Sequence, residues 1–100
     1  MDTIDATLAR VMAGFAGRDL NGDSFLTHND DWTMLTVVSI GDLRGQHFAV
    51  TSLAAHVADG RVVIDHDIND RPLVDALVAE GVPRQLIVLA YAGESASHAA

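Results

Sequence analysis

The chain contains no cysteine and no lysine. The first absence removes disulfide staples, Cys-ligated zinc, iron-sulfur clusters and thiol chemistry, and leaves no redox clue to compartment. The second, with 6 Arg set against 14 Asp and Glu, gives a formal net charge of −8. Nucleic-acid binding is driven largely by cations that neutralise phosphates, and the arginines, scattered at 10, 18, 44, 61, 71 and 84, form no basic patch. Direct contact with DNA or RNA is therefore not expected. The same shortage weighs against an anionic membrane surface, and no apolar run approaches the roughly 20 residues of a bilayer span. The opening Met1-Asp2-Thr3-Ile4-Asp5 is acidic where an export signal is basic, so the expected location is the cytoplasm. Proline and glycine are also scarce, at 2 and 8 residues, while 49% of the chain is apolar. That excludes a disordered tail and predicts one domain, which at this length buries roughly 60 to 70% of its unfolded surface.

What the chain does contain is a succession of clear periodicities. Ile4, Leu8, Val11, Met12 and Phe15 recur at spacings of three and four, predicting an amphipathic helix over 3–16. Gly17 and the polar segment 18–23 read as helix end and loop. Segments 24–28 and 32–40 are rich in apolar and β-branched residues and are separated by the turn formers Asn29-Asp30-Asp31, which predicts a hairpin. A turn at 41–45 leads to a strand from His47 to Ala58. Asp59-Gly60 suits a type I′ turn, returning a strand over 61–66. Asn69 or Asp70 can cap a second helix with Pro72 in its first turn and Leu73, Val74, Leu77 and Val78 as its apolar stripe. Gly81 stands at the left-handed C′ position, and Pro83 prevents continuation. The run 86–91 reads as a strand buried on both faces. The order α-β-β-β-β-α-β predicts a two-layer α+β fold with a mostly antiparallel sheet.

Asp59-Gly60-Arg61-Val62-Val63-Ile64, Asp67, the helix Leu73 to Leu77 and Glu80-Gly81-Val82-Pro83-Arg84-Gln85-Leu86-Ile87-Val88-Leu89-Ala90-Tyr91 together resemble the XisI family, the fdxN-element excision controlling factors. The similarity runs over about residues 32–91. It implies an XisI-like fold with residues 1–93 as one domain and 94–100 as a frayed tail. It also implies an accessory, non-enzymatic role beside a site-specific recombinase and the companion protein XisH. The chain departs from the family pattern at Asp42 and Val63, which replace Trp, and at Ala54, which replaces His. Asn69, Asp70 and Pro72 stand for Thr, Glu and Gly. Loss of this polar signature opens a second reading, a stand-alone domain of a bacterial biosynthetic pathway that binds or transforms a small molecule.

The Asp59-Gly60 tip sets a register in which Ala58 faces Arg61, His56 faces Val63, Ala54 faces Asp65 and Ser52 faces Asp67, all on one side. Val57, Ala55, Leu53, Val62, Ile64 and His66 then form the core side. The candidate partner or ligand face is His56, Arg61, Val63 and Asp65, with His66 and Asp67 at the following junction. Ser52 and His56 lie roughly 13 Å apart along a strand, too far for a nucleophilic triad. His56 and Asp65 are diagonal neighbours able to pair. Asp67 or Asn69 capping the helix, with His66 closing the core edge, explains that cluster without a metal. No His spacing matches a zinc site, and 19–23 lacks the register and closing Glu of a calcium loop. No catalytic residue, cofactor or metal ligand is expected. Trp32 and Met34 are assigned to core packing. The expected partner is a protein, XisH-like or a recombinase, and Ala-rich outward positions also suit pairing with a second copy.

Overall fold

The computed structural model describes residues 3–19 and 22–95. Its elements are α1 (Ile4–Ala13), β1 (Gly17–Asp19), β2 (Gly22–His28), β3 (Met34–Leu43), β4 (Gln46–Ala58), β5 (Arg61–Asp67), α2 (Leu73–Ala79) and β6 (Ile87–Leu89). The strands form one sheet in sequential order from β1 to β6. Every neighbouring pair is antiparallel except β5 and β6, which run parallel. The two-layer α+β architecture holds, with one strand more than the sequence predicts. The polar segment read as a loop supplies it: Gly17, Arg18 and Asp19 pair with Ser24, Asp23 and Gly22. The tip of that hairpin falls outside the described residues.

Thr3 starts α1, its Oγ1 accepting the Ala6 N–H at 3.1 Å. Leu8 and Met12 are fully buried and join Leu73, Leu77 and Val82 on one side of a core whose other side is Leu35, Val37, Leu53, Ala55, Val62, Ile64 and Ile87. Each such side chain contributes roughly 1.5 to 3 kcal/mol of transfer free energy. Both helices therefore cover the same face of the sheet, and Arg10 of α1 meets Glu80 at 2.6 Å.

The turn chemistry follows the sequence closely. Asp59 and Gly60 have φ of 53° and 75°, the paired positive values of a type I′ turn, and Arg44 and Gly45 repeat this at 53° and 78°. At the end of α2, Val82 N donates to Leu77 O and Gly81 N to Val78 O, both at 3.0 Å, which is the Schellman pattern. Its start differs from expectation. Pro72 occupies the N-cap and has no side-chain donor or acceptor to offer. Neither Asn69 nor Asp70 takes that role, because the chain reaches the helix only after them.

Three further differences have local causes. The run 86–91 is a strand only over Ile87–Leu89, with 3-10 turns on either side at Arg84–Leu86 and Ala90–Ala92. Its outer edge is closed by a side chain: Glu94 Oε1 accepts the Leu89 N–H at 2.8 Å and Oε2 accepts from Arg84 at 3.0 Å. Glu94, placed in the tail by sequence, is thus tied to the sheet, while 96–100 lie outside the described residues. Trp32 and Met34 do not pack in the core. Trp32, at φ 61°, belongs to the turn and stacks on His28 with ring centroids 3.3 Å apart, and Met34 stands on the uncovered side of the sheet, 38% exposed.

Candidate functional site

The face turned away from the helices is built by alternation along the strands, and two bulges determine what it presents. Val37 pairs with Leu53 and Val38 with Thr51, so Ser52 is an extra residue in β4. Ala55 pairs with Ile64 and Ala54 with His66, so Asp65 is an extra residue in β5. A bulge of this kind inverts the alternation beyond it. The expected partners Ala54–Asp65 and Ser52–Asp67 are therefore not formed. His66, assigned to the core side, instead stands exposed opposite Ala54, and Asp67 turns to the helix side opposite Leu53.

Of the six sequence-predicted site residues, the structure brings four to the outward surface. His56 Nδ1 donates to Asp65 Oδ2 at 2.7 Å, with both side chains partly exposed. An ionised carboxylate can only accept, so the proton of this bond sits on His56 Nδ1. Arg61 lies two pairs beyond His56–Val63 toward the tip, opposite Ala58. Its Nε is buried and makes no hydrogen bond among the described residues. His66 completes the exposed group. The patch therefore offers an imidazole, a carboxylate and a guanidinium on rigid strands, a set suited to recognising polar and charged groups of a partner.

Val63 and Asp67 do other work. Val63 is 9% exposed beside Val88 at 1%, and the Ala90–Ala92 turn lies against β5, so Val63 belongs to a small second core on this margin. Asp67 is a positioning group for α2: Oδ2 accepts the Leu73 N–H at 2.7 Å, and Oδ1 accepts from the Asn69 backbone at 3.0 Å and side chain at 2.9 Å. Asn69 Nδ2 also reaches Ser52 O at 3.3 Å. Ser52 Oγ donates to Val37 O, which leaves no hydroxyl for chemistry with His56. Among the described residues no three His, Asp or Glu side chains converge as metal ligands. A groove of about 570 Å³ lies between the end of α1 and the start of α2, lined by residues including Phe15, Asn69 and Asp75, away from His56 and His66.

Sequence patterning missed the largest part of this face. Phe25, Met34 and Ile40 project outward at 48%, 38% and 38% exposure, with Val38 between them. The signal was present: an antiparallel strand with one solvated face ordinarily alternates with polar residues, and β3 breaks that rule at 34, 38 and 40.

Two carboxylates outside the patch are perturbed. Asp31 is held below the usual carboxylate range by hydrogen bonds from the Thr33 hydroxyl and backbone. Glu94 is lowered by the Leu89 N–H and then by Arg84. Among the described residues no helix is long and apolar enough to cross a membrane.

Comparison with known proteins is consistent with this architecture. A family model described as XisI protein matches residues 18–99. A crystallised XisI-like protein from Anabaena variabilis ATCC 29413 is 21% identical, with a TM-score of 0.65 over 86% of this chain and 78% of that one. A second structure from the same organism, the fdxN element excision controlling factor XisI, is 16% identical, with a TM-score of 0.67 over 87% of this chain and 88% of that one. At these identities the structures share the fold. No curated protein matches.

Proposed function

The chain belongs to the XisI family, and from that premise we propose that it is an accessory controlling factor that acts through protein contacts, in the setting of site-specific excision of a DNA element. The observation that carries this reading is the outward patch of His56, Arg61, Asp65 and His66, set on strands and separated from the helix layer by the core. A net charge of −8 supports a protein rather than a nucleic-acid partner. An XisH-like protein or a recombinase fits the role, its own cations holding the DNA while this chain docks on it. Arg61 is the natural anchor, since its guanidinium is the one permanently charged donor of this patch and can pair bidentately with a partner's carboxylate.

The test is a pull-down of an XisH-type protein by the wild-type chain and by the R61D/D65R variant. Capture by the wild type and its loss in the variant support the reading; equal capture by both removes the patch from it.

A further inference from the structure

We infer that without its protein partner the chain closes its outward sheet face on a second copy of itself. This goes beyond the accessory role and does not require it. The surface concerned is larger than the polar patch. Phe25 of β2 and Met34, Val38 and Ile40 of β3 stand beside Ala49, Thr51 and Ala54 of β4, on one side of the sheet. Asp23 lies on the same side opposite Ile40, the Thr27–Thr36 pair separates Met34 from Val38, and Ala54 is itself buried, so the open apolar part is Phe25, Val38 and Ile40 with Met34 beyond the threonines. Large apolar side chains left open in this way mark an interaction surface.

The relief of the face favours a second copy as occupant. At the end away from Arg61, a row of bulky side chains on β3, Val38 and Ile40, lies beside a row of small ones on β4, Thr51 and Ala49, while Thr36 and His56 interrupt the pattern at the other end. A two-fold axis parallel to the strands, along the β3–β4 seam, sets the bulky row of each copy over the small row of the other. That is the self-complementarity an isologous dimer requires. From β2 to β4 the face is about 14 Å wide, and the ten residues of β3 make it about 33 Å long. That plane of roughly 460 Å² per copy belongs to the small end of specific interfaces, where dimers are weak and concentration-dependent.

Charge agrees with the same axis. Met34 pairs with His56 and Ala58 with Arg61, so Arg61 lies at the level of the turn that joins β2 to β3. A two-fold along the seam exchanges the β2 and β5 sides and keeps that level. The Arg61 guanidinium of one copy then approaches Asp30 and Asp31 of the other, a charge-assisted pairing. Because Arg61 and Asp65 sit on this face, self-association and partner docking exclude one another.

Sedimentation of the purified full chain from about 1 to about 200 μM tests the inference by mass action. The wild type is expected to dimerise, and F25E and I40E each to weaken the dimer at least tenfold, as loss of a central apolar anchor does. R61D is expected to weaken it and D30R/R61D to recover it. V78E, which alters an exposed apolar residue on the helix layer, is expected to change nothing. Circular dichroism and urea midpoints establish that each variant is folded. A wild-type chain that stays monomeric throughout, or a dimer that survives both F25E and I40E, overturns the inference. None of these measurements involves the partner, so their failure is distinct from failure of the pull-down.

Discussion

His56 and Asp65 meet at 2.7 Å although the simple hairpin register sets them on diagonal positions, because Asp65 is the extra residue of a bulge. The pair is exposed on a strand surface, where such contacts contribute roughly 0 to 1 kcal/mol. H56A and D65N are therefore expected to leave the urea midpoint nearly unchanged while reducing partner capture. A loss above about 2 kcal/mol in either variant would assign the pair to folding instead.

Asp67 is expected to behave in the opposite way. It holds the first N–H of α2 and the Asn69 turn through three hydrogen bonds. D67A removes them and is expected to cost about 1 to 2 kcal/mol, the usual range for a lost helix cap. Urea denaturation checks this, and partner binding at native conditions should persist.

Gly22 tests the packing of the second strand against the third. A Cβ there would lie 2.2 Å from the Ile40 carbonyl oxygen, a backbone atom unable to yield alone. G22A is expected to destabilise the chain by about 1 to 3 kcal/mol, as overpacking does. A thermal midpoint equal to wild type would show that the strands part freely there.

The pH dependence follows from Asp31 and Glu94. Both folded-state pKa values lie below their ordinary values of 3.8 and 4.5. The unfolded chain thus binds more protons in this range. Their stabilising contribution is fully present above the ordinary values and is lost as pH falls through the lowered ones. Urea midpoints measured downward from pH 6 should decline below about pH 4.5, and D31N should flatten part of that decline. A midpoint that holds steady into strong acid would contradict this.

Much of the fold was legible because turns announce themselves. Asp59-Gly60 fixed the tip of the last hairpin, and Gly81 followed by Pro83 fixed the end of the second helix, since each needs a backbone that few other residues adopt. The bulges at Ser52 and Asp65 were illegible because nothing in their side chains distinguishes an extra residue from an ordinary one. The extra residue at Asp65 moves His66 outward and Asp67 inward, which places part of the candidate face on the other side from that expected. The strand at Gly17–Asp19 was hidden by polar, edge-like composition, and the 86–91 run overstated its strand because Glu94, a side chain, replaces the next strand at Leu89. Met34 was read as core from its apolarity alone, yet its pairing with His56 sets it on the outward face.

The central claim is that the outward sheet face, and not the helix layer, receives the protein partner. Titration calorimetry of an XisH-type protein into the wild-type chain, R61D/D65R and V78E tests it directly. The account predicts binding by the wild type and V78E with closely similar Kd, and a Kd at least tenfold higher for R61D/D65R, about 1.4 kcal/mol or more. Undiminished affinity in R61D/D65R together with loss in V78E would contradict it.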